Sequence, residues 1–195
     1  MSQFEVIRDL GETVKELLKE SFKTSGFTTV SISTERPKKD NIKTLPCVNI
    51  YLYHLAFQAN YRERTEALVS THDKQGNIVE FYQDAPCYMQ GHYAVSVWGN
   101  SPGEENLLLG LVVKTLLEHT ILTGAELRGD SFYPDDKINV YPNLQADHND
   151  LMSFWRALNE EIRPTLFYFL KFRIESDRRS AEVRRVMTKE MAVNR

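Results

Sequence analysis

Cysteine is nearly absent from this chain, which excludes most sites that depend on thiols. Cys47 and Cys87 are the only two among 195 residues, and each follows a proline at the start of a strand-like run. Two isolated cysteines supply neither a disulfide framework nor a zinc site. We therefore predict that both are small, buried strand residues, a usage that fits folding in the reducing cytoplasm.

Long apolar runs and a strong excess of charge of one sign are also lacking. The longest apolar stretch, at about 107–113, is much shorter than the ~20 residues that a membrane span requires. Residues 1–10 lack the basic start and apolar run of a signal peptide. The net charge of −3 predicts no general attraction to nucleic acid or to anionic membranes. We therefore expect neither nucleic acid nor membrane as a partner.

The motifs of common catalytic sites are missing as well. The sequence has no GxSxG, GxxxxGK[ST] or GxGxxG pattern, and no pair of its five histidines has HExxH spacing. The nearest approach to a metal cluster is Asp-His-Asn-Asp at 147–150, which also lies where a helix start needs short polar caps. Asp135 and Asp136 are more typical of a solvated loop. We predict no catalytic residue, no cofactor and no metal site.

Two histidines and one aromatic run have less specific interpretations. His54 and His92 alternate with apolar strand residues, which predicts hydrogen-bonded histidines in the core or at an interface. The aromatic run at 167–172 could form a stacking platform for single-stranded nucleic acid, but such platforms lie in basic grooves and this chain is mildly acidic. Core packing is therefore the favoured prediction for these aromatic residues.

The residues that are present predict one folded α+β domain. Hydrophobic residues make up 42% of the chain and charged residues 26%, an ordinary balance for a globular protein with a core. A capping box at 2–5 opens an amphipathic helix that ends near Gly26, and a second box at 101–104 opens a helix that runs to about 120. A third helix carries an apolar series that begins at Leu151 and ends at Leu158. Strands are predicted at 28–35, 48–57, 78–82, 86–98, 137–141 and 165–174.

This order predicts a mainly antiparallel sheet flanked by helices. Residues 1–175 are expected to form the α+β domain, and 176–195 a charged C-terminal arm or tail. Between the second and third predicted strands, 58–74 is polar and irregular, with a candidate projecting element at 61–64. The wide apolar stripe of the second long helix predicts that it is covered on more than one side.

Six short segments, taken in order, resemble one family. They are VNIYLY at 48–53, YRER at 61–64, YAVSVWG at 93–99, ENLLLG at 105–110, FWRAL at 154–158 and IRPTLFY at 162–168. Together they resemble the N-terminal domain of the tail-terminator, or cap, protein of extracellular contractile injection systems of the anti-feeding prophage and virulence-cassette type. The chain departs from the family pattern at Glu63, Asn106 and Thr165, where Asn, His and Ser are expected.

The resemblance implies a phage tail-terminator-like fold and a structural role without an active site. It implies a homo-oligomeric ring, a hexamer, at the end of the particle distal from the baseplate, where it stops growth of the inner tube and sheath and joins their last rings. It further implies tube and sheath proteins as partners, assembly in the cytoplasm, and incorporation into a particle that can be released.

Individual residues receive roles from the six segments and from the charged C-terminal stretch that follows them. The candidate interface residues are Tyr61, Arg62, Arg64, Arg178, Arg179, Arg184 and Arg185. The predicted structural core anchors are Tyr51, Tyr53, Trp98, Trp155, Pro164 and Tyr168. The arginines of the arm accompany a weak apolar series at Val183, Val186, Met187 and Met191. The segment is therefore either a solvated tail, as is common at chain ends, or an arm that docks on a neighbouring subunit, a tube ring or a sheath ring. The alternative function is a monomeric binding module or a small enzyme with a cryptic pocket.

Overall fold

The computed structural model describes residues 3–58, 66–72, 75–176, 178 and 180. Its helices and strands are α1 (Val6–Thr24), β1 (Ser31–Ser33), β2 (Cys47–Phe57), β3 (Glu66–His72), β4 (Ile78–Asp84), β5 (Cys87–Trp98), α2 (Pro102–Glu118), β6 (Ile121–Thr123), β7 (Lys137–Pro142), α3 (His148–Leu158) and β8 (Thr165–Ile174). The chain divides into two compact units, a main unit (Met1–Gln58 and Tyr88–Ile174) and a hairpin unit (Ala59–Cys87 and Glu175–Arg195).

The main unit is built on one six-stranded sheet. Its strand order is β1-β2-β5-β8-β7-β6, so β1 and β6 are the two edges. β1 pairs with β2 in parallel, whereas β2 with β5, β6 with β7 and β7 with β8 are antiparallel pairs. The α+β prediction, with a mainly antiparallel sheet and flanking helices, is confirmed.

Two helices cover one face of this sheet. α1 buries a stripe that recurs every three or four residues, as expected for an amphipathic helix, and its members are Val6, Leu10, Val14, Leu17, Leu18 and Phe22. Phe4 does not belong to this stripe and is 78% exposed, because α1 begins only at Val6 and the preceding turn is a 3-10 helix. α2 contacts α1, and the hydroxyls of Ser21 and Thr115 lie 2.6 Å apart between them.

The other face of the sheet is covered by α3 at one end. Cys47 of β2 lies directly opposite Trp98 of β5. Both pack against Trp155 and Leu158 of α3. All four side chains are buried, so a second apolar cluster lies on this face. Cys47 is therefore buried as predicted, whereas Cys87 is partly exposed, and neither forms a disulfide.

The hairpin unit contains a two-stranded sheet of β3 and β4. The strands pair from Glu66 opposite Asp84 to His72 opposite Ile78, and Gly76, at a φ of +86°, lies in the connection between them. The irregular segment predicted at 58–74 was therefore wrong for 66–72. The segment EALVSTH has too few large apolar residues to predict a strand, and its strand form depends on its pairing with β4.

The remaining helices and strands follow the predictions with shifted ends. β8 has the predicted bounds, and β5 begins one residue later than predicted. β1 is only three residues long, and the three-residue β6 was not predicted, because strands this short show no clear alternation. Ser2, the predicted cap of α1, lies outside the described residues. Among the helices of the described ranges, none has both the length and the apolar character of a membrane span.

Candidate assembly surfaces

Several motif segments that are distant in sequence meet at one point of the main unit, which we name the Arg163 cluster (Trp98, Gly99, Glu105 and Arg163). Arg163 Nη1 donates a hydrogen bond of 2.9 Å to Glu105 Oε1. The guanidinium carbon lies 4.1 Å from the centroid of the Trp98 ring, which is a cation–π contact. The same Glu105 oxygen accepts the Gly99 N–H at 3.0 Å. The cluster therefore ties the start of α2 and the end of β5 to the segment before β8.

Gly99 occupies a position that no other residue fits without displacement. A Cβ atom placed there would lie 2.8 Å from Glu105 Cγ, closer than real side chains approach. The missing side chain lets the first turn of α2 pack directly on the end of β5. Steric crowding therefore explains the glycine at 99, and the contact with Arg163 explains the tryptophan at 98.

Trp155 extends this connection to α3. Its Nε1 donates to Thr165 Oγ1 at 2.9 Å, and that hydroxyl donates to the Arg163 carbonyl oxygen at 2.9 Å. The Trp155 and Trp98 rings meet edge to face, with centroids 6.1 Å apart. The threonine hydroxyl thus serves as acceptor and donor at once, a role that serine can also fill. The departure from the family pattern at Thr165 keeps this chemistry.

We expect Arg163 and Glu105 to be energetically coupled. Both are partly buried, and the pair combines a charged hydrogen bond with stacking on Trp98. Single substitutions Arg163→Ala and Glu105→Ala, together with the double variant, should give a coupling free energy of about 1 kcal/mol in urea unfolding. Arg163→Lys should recover little of this coupling free energy, because a lysine ammonium lacks the planar guanidinium that stacks on an aromatic ring and donates two parallel hydrogen bonds. Additive single effects would contradict the cluster as a unit.

The predicted core anchors fall into two groups. Trp98, Trp155 and Tyr168 are buried, and Tyr51 is partly buried. Tyr53 is 37% exposed and Pro164 is exposed, so the core-anchor prediction was wrong for these two. Tyr53 lies at a β-bulge, where the strand register shifts between Leu52 and His54. Its ring contacts Phe154 and Phe167 on the face that α3 covers only in part. Pro164 lies in the connection before β8, at the surface.

Beyond α3, the sheet leaves an aromatic face that is only half covered. Tyr53 contacts Phe167 and His92 with ring centroids 5.6 and 6.1 Å apart, and Phe169 stacks on Tyr141 at 5.2 Å. The predicted core packing of 167–172 therefore holds for Tyr168, Leu170 and Phe172, which point to the helix-covered side, but not for Phe167 and Phe169, which are partly exposed. This face is one candidate surface for a partner.

The two strand histidines lie on this aromatic face. His54 and His92 are directly paired across β2 and β5, and their ring centroids are 5.2 Å apart. His54 is exposed and His92 partly buried, so neither is a core residue. Burial, and then the neighbouring His54, lower the pKa of His92 below its ordinary value. A surface position leaves the interface interpretation of the pair open.

A cavity of about 430 Å³ lies at the α3 end of the same face. Its lining combines aromatic rings with a few polar groups, among them Arg36, Tyr51, Asp150 and Phe154. Asp150 is engaged in capping α3, because its carboxylate accepts the Asp147 N–H at 3.0 Å while Asp147 accepts the Asp150 and Asn149 N–H groups. These backbone hydrogen bonds lower the pKa of Asp147. The segment at 147–150 is thus a helix cap, as its position predicted.

Most of the candidate interface residues lie outside the described part of the chain. Within the described part of the chain, no group of three histidine, cysteine or carboxylate side chains could hold a metal ion. Arg178 is exposed, and its backbone N–H donates to Ser176 Oγ at 3.1 Å. The other candidate interface residues, Tyr61, Arg62, Arg64, Arg179, Arg184 and Arg185, lie outside the described residues.

A second candidate surface is the outer side of α2. Leu108, Val112 and Leu116 are buried, but Leu107, Leu117 and the neighbouring Ile121 are each more than half exposed. The prediction that α2 is covered on more than one side therefore does not hold within this chain. The signal was present in the width of the apolar stripe, which a single buried face does not require.

Comparison with known proteins identifies one family and two solved structures that this chain resembles. The Pvc16 N-terminal domain family matches residues 9–188. The fold is similar to a PVC sheath/tube terminator of an extracellular contractile injection system in its extended state, at a TM-score of 0.67 and 16% identity over 94% of this chain and 62% of that one. It is also similar to the tube-terminating cap of the anti-feeding prophage, at a TM-score of 0.65 and 15% identity over 99% of this chain and 62% of that one.

The two solved structures share the fold of this chain and are longer than it is. The chain spans less than two thirds of the length of either solved structure. No curated protein matches the sequence. The family match includes the residues of the Arg163 cluster, of the aromatic face and of the outer side of α2. It continues past β8 to residue 188.

Proposed function

The chain belongs to the Pvc16 N-terminal domain family, and from this membership we propose that it is a structural cap subunit of a contractile, phage-tail-like injection particle. The observation that carries the proposal is the family match over 9–188, joined to a fold shared with a sheath/tube terminator and a tube-terminating cap. In this role the chain ends the inner tube and the sheath and joins their last rings.

The surfaces of the main unit support a protein that works by contact. Its motif segments build the Arg163 cluster, which connects α2 and β5 to the segment before β8, and two partly apolar surfaces remain exposed. Large exposed apolar patches mark interaction sites in soluble proteins. A cap must bind the repeating end of a polymer and present a face that no further subunit can use, and neither task needs a reaction. The proposed role is therefore non-enzymatic.

We propose that the assembled form is a closed homo-oligomeric ring, with six copies matching the resemblance, and that tube and sheath proteins bind it. Identical subunits in a ring meet through two different patches each, and closure of the ring leaves no free patch of either kind. Assembly takes place in the cytoplasm, and the ring then forms part of a particle that can be released. The cavity beside Arg36 is compatible with a small-molecule binding module, but its capping aspartate is already satisfied.

The proposed function is tested by removing the chain from a producing cell. Particles assembled without it should have tubes and sheaths of irregular, longer length, with ends that come apart. Complementation with the wild-type chain should restore uniform length. A population of unchanged length and intact ends without the chain would contradict a terminating role.

The C-terminal arm at 176–195 is proposed to take part in this joint. Ser180 donates its N–H to the Tyr82 carbonyl oxygen at 2.9 Å and accepts the Tyr82 N–H on its hydroxyl at 2.9 Å, so the chain after β8 lies along β4 within the hairpin unit. From 175 onward the sequence has six Lys or Arg against four Asp or Glu. A basic, partly apolar segment fits acids on a neighbouring ring better than it fits solvent.

Deleting the arm should loosen the cap without unfolding the main unit. We expect a chain ending at Glu175 to keep the unfolding midpoint of the main unit, whereas its particles show loosely capped or overlong tubes. A chain ending at Ser180 is the matched control, because it retains the hydrogen bonds with β4 and removes only the following residues. Full cap occupancy and normal particle length with both truncations would leave the arm without a role.

A further inference from the structure

The two edges of the six-stranded sheet carry opposite charge. At the β1 edge, the connection from β1 to β2 contains Arg36, Lys38, Lys39 and Lys43, with only Asp40 among them as a carboxylate in 36–43. Within the described residues, none of these four cations is in ion-pair distance of a carboxylate. Two acids lie next to this segment. Glu35 precedes Arg36 in the sequence, and Glu160 accepts the Lys39 backbone N–H at 3.3 Å. We name this surface the basic edge.

The β6 edge has the reverse balance. Residues 118–137, which contain β6 and the connection to β7, have five carboxylates and two cations, and the carboxylates are Glu118, Glu126, Asp130, Asp135 and Asp136. Some of them are engaged within the chain: Glu126 with His119 at 2.8 Å, and both Asp135 and Asp136 with Arg173. Glu118 is exposed, 3.8 Å from Lys114, and Asp130 is exposed. We name this surface the acidic edge.

Each charged edge also has an exposed apolar centre. Leu45 is 50% exposed and follows Lys43 in the basic edge by two residues. Leu117 and Ile121 are 60% and 52% exposed and flank Glu118 in the acidic edge. An apolar centre with a charged rim is the composition of a protein–protein interface. The two patches are therefore alike in their centre and opposite in the charge around it.

The strand order places β1 and β6, the strands next to these two patches, at opposite edges of one sheet. β1 and β6 are the outermost of six strands, and five inter-strand spacings separate them by roughly 24 Å. One subunit can therefore offer both patches to two different neighbours at the same time. A head-to-tail contact between identical subunits requires this arrangement, whereas a two-fold contact would place like charges against each other.

We propose that the basic edge of one copy binds the acidic edge of the next copy, and that this contact forms the ring. The inference rests on the proposed function, because it assigns a surface to the ring contact of the cap. Its partner is a second copy of this chain, chosen because complementary charge and matching apolar centres occur on the two edges of the same sheet. Opposite charges of this kind steer association and set the register of the contact.

The test uses two variants that each give a chain two edges of one sign. Lys39→Glu with Lys43→Glu makes the basic edge acidic, and Glu118→Lys with Asp130→Lys makes the acidic edge basic. We expect the wild-type chain to form a closed oligomer in sedimentation velocity and native mass spectrometry at low salt, with weaker assembly at 0.5 M salt. Each variant alone should need at least a tenfold higher concentration to assemble.

An equimolar mixture of the two variants distinguishes charge matching from loss of folding. In the mixture every contact between the two kinds of chain again joins edges of opposite sign, so alternating oligomers should form where neither variant assembles alone. A single chain carrying all four substitutions should assemble for the same reason. Lys19→Glu with Lys23→Glu, on the exposed side of α1, is the matched control and should assemble as the wild type does.

The outcomes separate this inference from the proposed function. Variants that form rings as readily as the wild type would overturn the edge-to-edge contact and leave the ring itself in place. Rings that form normally but no longer bind tube or sheath ends would assign these edges to the tube or sheath, and would also overturn it. A wild-type chain that stays monomeric at every concentration would instead count against the ring of the proposed function.

Discussion

Replacing Trp155 with alanine should lower the free energy of unfolding by about 3–5 kcal/mol. The side chain is completely buried, packs edge to face against Trp98, and belongs to the apolar cluster that joins α3 to the sheet. Truncation removes these contacts, leaves a cavity, and deprives Thr165 Oγ1 of its donor. Urea unfolding followed by far-ultraviolet circular dichroism measures the loss, since the signal then does not depend on tryptophan fluorescence.

Trp155→Phe is the matched control for this prediction. Phenylalanine keeps an aromatic ring in the cluster but cannot donate to Thr165, so about 1–2 kcal/mol should be lost. If alanine costs no more than phenylalanine at this position, the cluster of α3 and sheet does not stabilise the fold as described. Because Trp155 also orders the segment that carries Arg163, the alanine variant should in addition cap particles poorly.

Replacing Gly129 with alanine should cost about 3–5 kcal/mol, from two separate causes. The residue has a φ of +100°, a backbone conformation that L-residues rarely adopt and that costs about 1–3 kcal/mol. An added Cβ would also overlap the carboxylate of Asp9, which is buried and accepts the Ser131 hydroxyl at 2.7 Å. Relief of the overlap must displace that buried carboxylate, at a further cost of about 1–3 kcal/mol.

Gly26→Ala separates the two causes. Gly26 has a similar φ of +87°, but a Cβ there meets no atom within 4 Å. Backbone strain alone should then cost about 1 kcal/mol. The same urea titration applied to both variants gives the contribution of the Asp9 overlap by difference. Equal losses at the two glycines would show that the loop at 128–131 does not hold Asp9 in place.

The parts of the fold predicted from sequence are those with a strong local pattern. β8 and β5 have long apolar alternation, α1 has an apolar stripe, and α2 has a side-chain cap at Ser101 beside apolar residues, so their existence follows from local pattern. β3 and β6 have no strong local pattern, because β3 consists of small and mostly polar residues and β6 is three residues long. Their strand form depends on partners elsewhere in the chain, which no local window contains.

The candidate surfaces were harder to predict for a similar reason. Alternation shows that a strand has two sides, but not which side a helix covers, and this decides whether Phe169 is core or surface. The bulge at Tyr53 changes the alternation without any glycine or proline to mark it. The opposite charges of the two sheet edges depend on the strand order, which puts the strands next to residues near 40 and near 120 at opposite edges of one sheet. No local stretch of sequence shows this order.

The most direct test of the capping role is to locate the chain on assembled particles by cryo-electron microscopy with a label on this chain. We expect one ring of label per particle, at the end distal from the baseplate, in contact with the last tube ring and the last sheath ring. Label distributed along the shaft, or found at the baseplate end, would contradict the account.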